Sequence, residues 1–151
     1  IDTDEKINDI AVQKSAAKML PAHSVLIAMY GATVGEYGII SVPMTCNQAV
    51  CALIPNENYP YPYLLMHIKN SKSKLVNMAV GSAQQNISQI LIKQMPVHEG
   101  IEQIKSYNDA VLPLFQKMEQ LKYESNLLCQ LRDSLLPKLM SGELDVSEID
   151  L

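Results

Sequence analysis

The sequence predicts an α+β protein: a small mixed β-sheet domain followed by a long C-terminal α-helix that forms a coiled coil. Three observations predict it. Short apolar, strand-like runs punctuated by turn residues crowd the chain before position 55. Helix-forming stretches come later, and strands first with helices after belong to the α+β class rather than to a doubly wound sheet. From position 111 to 139 the apolar residues recur at heptad spacing, which is the seam of a coiled coil.

In chain order, residues 7–18 form a weakly amphipathic stretch predicted to be helical, and Leu20-Pro21-Ala22-His23-Ser24 a turn. Residues 25–30 are an apolar strand. The glycine-bracketed loop Gly31-Ala32-Thr33-Val34-Gly35 follows, then a second strand over 37–42, broken by Pro43, and a third over 46–54. Pro60 and Pro62 open a helix over 59–69, since proline suits a first turn. Residues 72–78 read as a further short helix, 81–86 as a polar loop, and 87–92 as a helical turn with Ser88 as its cap. Residues 94–97 are extended, and Gly100 separates this part from the helix of 101–140. With Val111 as a, the a positions are Val111, Met118, Ser125, Arg132 and Leu139, and the d positions Leu114, Leu121, Leu128 and Leu135. Lys117, Glu119, Lys122 and Glu124 flank the seam, while Phe115, Leu127, Leu131 and Leu136 widen it. A run of about 26 residues at about 1.5 Å each is near 40 Å long. That exceeds what a small domain needs to cover its core, so a partner helix is expected; an amphipathic helix lying on its own domain is the alternative. Residues 141–151 form an acidic tail.

The 151 residues suit one globular domain with an appendage, and 48% hydrophobic residues support a core. The chain opens on Ile1 rather than Met, which reads as a partial or processed chain. No apolar run is as long as a membrane span and no secretory signal opens it. Cys46, Cys51 and Cys129 fit no zinc spacing; the first two read as buried thiols, which points to a reducing, cytoplasmic setting. His23, His67 and His98 have no ligand-spaced partners, so no metal is expected.

The net charge of −4 argues against nucleic acid until its distribution is read. Positions 1–12 hold four acids and one Lys, and 13–100 hold six Lys and three Glu. Positions 101–139 hold five of each sign, and 140–151 hold four acids. The central part is therefore mildly basic and permits phosphate contacts.

The glycine loop lacks the P-loop spacing and its Lys, and lacks the dinucleotide fingerprint, so a tight turn between strands is favoured over a nucleotide cradle. There is no G-x-S-x-G elbow, no carboxylate cluster for a metal-assisted nuclease (Glu36, Glu57 and Glu99 lie far apart), and no Asn/Asp-Pro-Pro-aromatic loop. The chain is therefore expected to be non-catalytic and to need no cofactor of its own. What remains suits recognition. Lys69, Asn70, Ser71, Lys72, Ser73 and Lys74 are phosphate-contacting types in one short cluster, with a solvated helix junction as the plain alternative. Ser82 to Asn86 offers amides that pair with the N6 and N7 edge of adenine. Tyr30 and Tyr37 flank the glycine loop and read first as edges of the core.

Four pieces then resemble the C-terminal portion of the specificity subunit of type I restriction-modification systems. They are Leu26-Ile27-Ala28-Met29-Tyr30-Gly31-Ala32-Thr33-Val34-Gly35, and Cys46-Asn47-Gln48-Ala49-Val50. The third is Gly81-Ser82-Ala83-Gln84-Gln85-Asn86-Ile87-Ser88 leading to Met95-Pro96-Val97. The fourth and most specific is Leu131-Arg132-Asp133-Ser134-Leu135-Leu136-Pro137-Lys138-Leu139-Met140-Ser141-Gly142-Glu143-Leu144. The resemblance implies that 1–100 is about two-thirds of a target recognition domain and that 101–140 is a spacer helix, which packs antiparallel on a second helix to set the distance between two half-sites. It implies double-stranded DNA as ligand. It also implies a methyltransferase subunit using S-adenosylmethionine as partner, with a restriction subunit joining through it. The second helix would come from another half-subunit or a homodimer. The candidate DNA-binding residues are Tyr30, Thr33, Lys69, Lys72, Lys74, Ser82, Gln84, Gln85 and Asn86, and the helix-pairing residues Leu114, Met118, Leu121, Leu128 and Leu135. The competing reading is a coiled-coil interaction module that does not read DNA.

Overall fold

The computed structural model describes residues 3, 6–79, 86–144 and 147. Among them three strands form one sheet: β1 (Val25–Ala28), β2 (Tyr37–Ile39) and β3 (Val50–Leu53), in the order β2-β1-β3. Four α-helices accompany it, α1 (Asp9–Lys14), α2 (Tyr61–Asn77), α3 (Gln89–Lys93) and α4 (Ile101–Met140), with a 3-10 turn at Gly31–Thr33. The α+β class holds. The sheet itself is antiparallel throughout rather than mixed, with Val25 opposite both Ile39 and Leu53.

Alternation explains the central strand. Val25 and Ile27 point to one face and are fully buried, while the alternate residues Leu26 and Ala28 are half-buried. Against that face pack Leu64, Ile68 and Leu75 of α2, at helical spacing, together with Met29, Val34, Cys51, Ile87 and Ile92. The flanking strands are shorter than their apolar runs. β3 starts at Val50 because Asn47 spends the preceding residues in a turn, its Oδ1 accepting from the Ala49 N–H at 3.0 Å. β2 ends at Ile39, although the Ile40 carbonyl still accepts from the His23 N–H at 2.6 Å.

α2 is one helix where two were expected. It starts with Pro60 as cap and Pro62 in its first turn, and no Gly or Pro breaks it between Lys69 and Lys74. α3 is capped as expected: the Ser88 Oγ accepts from the Leu91 N–H at 3.3 Å. α1 is short, capped by Asn8, and buries nothing.

The chain divides into two compact units, Ile1–Leu112 and Pro113–Leu151. The division falls at Pro113, which lies inside α4 and has no N–H to donate to the Asp109 carbonyl. The first turns of α4 belong to the first unit, where Ile104 is buried. In the second unit, Leu114, Met118, Leu121, Leu128 and Leu135 are all exposed, from 37% for Leu135 to 65% for Met118. Gly142, in the left-handed region, ends the helix, its N–H reaching the Leu139 carbonyl.

Candidate nucleic-acid interface

The glycine loop is a turn with a bulge. The Gly35 N–H donates to the Ala28 carbonyl (2.9 Å), and the Ala28 N–H donates to the Glu36 carbonyl (2.8 Å). Two residues thus oppose one, with Gly35 at φ +80, which is a G1 bulge. Glycine is required twice over here. A Cβ would be strained at that φ, and it would stand 2.7 Å from the Val76 Cγ2 of α2. The bulge therefore seats the hairpin on α2 and turns Glu36 toward it.

Three segments meet at the end of β1 where this loop starts. Tyr30 bridges Asn86, and the Ile87 N–H donates to the Met29 carbonyl at 2.9 Å. On the other side the Met29 N–H donates to the Ala49 carbonyl at 2.8 Å, so the turn holding Asn47 and Gln48 lies alongside. Tyr30, Thr33, Asn47, Gln48 and Asn86 are all exposed there. Tyr30 is 43% exposed, so it stands at the rim of the core.

The lysines behave less simply than their adjacency in sequence suggested. At about 100° per residue, Lys69 and Lys72 lie roughly 60° apart around α2, whereas Lys74 lies roughly 160° from Lys72. The three do not form one patch. The Lys72 Nζ lies 2.6 Å from the Glu36 Oε1 and 6.0 Å from the centroid of the Tyr37 ring. Tyr30, Thr33 and Asn86 thus share one end of the sheet, Lys72 is tied to it through Glu36, Lys69 neighbours Lys72, and Lys74 points elsewhere. Ser82, Gln84 and Gln85 lie outside the described residues. Sequence reasoning left Glu36, whose partner is 36 positions away, out of the candidate site, and placed Asn47 and Gln48 within the third strand rather than in the exposed turn before it.

Other groups are less suited to this chemistry. Burial pushes the Cys46 and Cys51 thiols up, which keeps them protonated and poor as nucleophiles. Burial pushes His67 down, and its Nε2 has no hydrogen-bond partner. His67 lines a cleft of about 460 Å³ with Tyr63, Asn70, His98, Gln103 and Tyr107; no Lys or Arg lines it. No group of three or more His, Cys, Asp or Glu could hold a metal among the described residues, and no helix there is long and apolar enough to cross a membrane.

The sequence matches a known family. The family described as "Type I restriction modification DNA specificity domain" matches residues 2–98, the stretch that ends just before α4. The chain belongs to the type I restriction-modification DNA specificity domain family. Two curated relatives extend the similarity through the helix. The type I restriction enzyme HindI specificity subunit of Haemophilus influenzae is 25% identical over 146 residues, covering 94% of this chain and 32% of that protein. The MjaIX specificity subunit of Methanocaldococcus jannaschii is 24% identical over 160 residues, covering 99% and 35%. The chain therefore spans about a third of the length of the specificity subunits it matches. In fold it resembles the crystal structure of the type I restriction-modification S subunit from M. genitalium, with a TM-score of 0.62 over 82% of this chain and 34% of that one, at 18% identity.

Proposed function

We propose that this chain reads one half of a bipartite DNA target for a type I restriction-modification complex. The carrying observation is the match of residues 2–98 to a DNA specificity domain. The exposed end of β1 supports it by gathering Tyr30, Thr33 and Asn86 where an edge of the duplex can be met. In this reading Tyr30, Thr33 and Asn86, with Ser82, Gln84 and Gln85 beside them in sequence, face the bases. Lys69 and Lys72 take phosphates, and Lys74 lies off that track. Residues 1–100 serve as part of a target recognition domain. The 101–140 helix acts as spacer, pairing through Leu114, Met118, Leu121, Leu128 and Leu135 with a helix of another half-subunit or a second copy. The chain docks a methyltransferase subunit and, through it, a restriction subunit. Those partners supply S-adenosylmethionine chemistry and cleavage in the cytoplasm, and this chain is not an enzyme.

The test is reconstitution with the methyltransferase subunit, followed by mapping of methylated sites. Methylation at a defined half-site is expected, and substitutions at Tyr30, Thr33 and Asn86 should alter or relax that pattern. Lys69→Glu with Lys72→Glu should weaken binding at every sequence and flatten log K against log[salt] by about 1.8, at roughly 0.9 for each phosphate contact. Lys74→Glu should move it far less. Methylation without sequence preference would sink the proposal.

A further inference from the structure

An acid is an unexpected group on a surface that meets a polyanion, and Glu36 is held there deliberately. Its backbone is the second residue of the G1 bulge, fixed by the Ala28 N–H and by its own N–H to the Thr33 carbonyl. Gly35 lets Val76 approach, which puts Lys72, one turn earlier on α2, against the carboxylate at 2.6 Å. Tyr37 borders the same ammonium. The pair is open to solvent, with 38% of the Lys72 and 58% of the Glu36 side chain exposed, so an incoming anion can reach the lysine.

We propose that Glu36 stands in for a DNA phosphate. It holds the Lys72 ammonium in the free protein and yields it when a duplex docks, so that binding without the right sequence is penalised. This rests on the DNA-reading function proposed above. The exchange is physically favourable at a fitted site. An exposed ion pair is weakly held, and duplex DNA presents one negative charge for about every 1.7 Å of axis. The exchange leaves Glu36 unpaired beside DNA. Giving up the Glu36–Lys72 attraction is the cost of docking; base-edge contacts offset that cost at the right sequence, and at a wrong sequence nothing does. The cost is the same at every sequence, so it leaves the ratio of affinities unchanged; it lowers non-specific binding in absolute terms, and only base-edge contacts carry a duplex past it.

The experiment measures binding of a labelled random-sequence duplex by anisotropy across a salt series, with thermal melts to check that each variant folds. Glu36→Gln keeps the shape and removes the charge. It should bind at low salt roughly two- to five-fold more tightly than wild type, the range a released surface pair corresponds to. Lys72→Met should flatten the salt slope by about 0.9. In the double variant the gain from Glu36→Gln should vanish, leaving the behaviour of Lys72→Met alone. A gain that persists in the Lys72→Met background means Glu36 acts by diffuse repulsion, and the stand-in is wrong. It is equally wrong if Glu36→Gln changes nothing while Lys72→Met weakens binding; DNA reading then survives without it. If wild type binds no duplex even at low salt, the DNA-reading function fails and this inference goes with it.

Discussion

Ile27, Ile68 and Leu75 in the sheet domain are closed off from solvent, whereas Leu114, Leu121 and Leu128 on the helix beyond Pro113 are at least half exposed. The residue chemistry is the same and the outcome opposite. In the first unit, apolar spacing of two on β1 meets apolar spacing of about 3.6 on α2, and the two faces cover each other. In the second, a heptad-spaced stripe extends over most of some 40 Å of helix. A stripe that long is normally covered by another helix. One region is covered by its own sequence and the other leaves its stripe exposed, and each can be perturbed without touching the other.

The largest effect should come from the helix. Leu121→Glu with Leu128→Glu places charge at two consecutive d positions. Each buried Leu contributes about 1.5–3 kcal/mol, so losing both should weaken pairing by roughly two to four orders of magnitude. Sedimentation should show dissociation while the tyrosine near-UV signal of the sheet domain is retained. An unchanged oligomeric state would mean the stripe is not a pairing seam. The converse variant is Ile27→Ala, which empties a fully buried site in the first unit. It should lower that unit's stability by about 2–5 kcal/mol, read as a shift in its denaturation midpoint, and leave helix pairing intact.

A finer contrast lies within the glycine loop. Gly31 and Gly35 both have positive φ, +74 and +80, but a Cβ on Gly31 meets open space while one on Gly35 meets Val76. Gly31→Ala should cost only the left-handed strain of about 1–2 kcal/mol. Gly35→Ala should cost more, because the hairpin must lift from α2, and it should also separate Glu36 from Lys72. Equal melting shifts for the two variants would show that the contact with Val76 is easily relieved.

These contrasts also mark what was legible in the sequence. Local patterns and turn signals placed β1, the start of α2, the Ser88 cap and the long helix α4, because each is a local signal. The loop Gly31–Gly35 read correctly as a turn, but its bulge depends on Ala28 across the hairpin. Lys69, Lys72 and Lys74 read as one cluster because they are adjacent in the chain; the helix spreads them around its circumference. The Glu36–Lys72 pair joins a hairpin to a helix over 36 positions and leaves no local trace. Residues 72–78 read as a further short helix, whereas burial of Ile68 and Leu75 on one face carries α2 through them as a single helix.

The smallest effect separates the two regions by pH. His67 is half-buried on α2, its buried Nε2 unpartnered, and desolvation holds its pKa below the ordinary 6.5. In the window between the lowered folded value and 6.5 the unfolded chain binds the proton more readily than the folded one. Stability is therefore complete above 6.5 and declines as pH falls through that window. The other two histidines, His23 and His98, also lie before Pro113, so no imidazole sits on the seam. Melting of the sheet domain should soften between pH 7 and 5, with helix pairing much less affected. His67→Gln should remove part of that slope and leave the pairing constant unchanged. If the slope is identical in the variant, the proton goes elsewhere, and burial of His67 does not shape the acid sensitivity of the first unit.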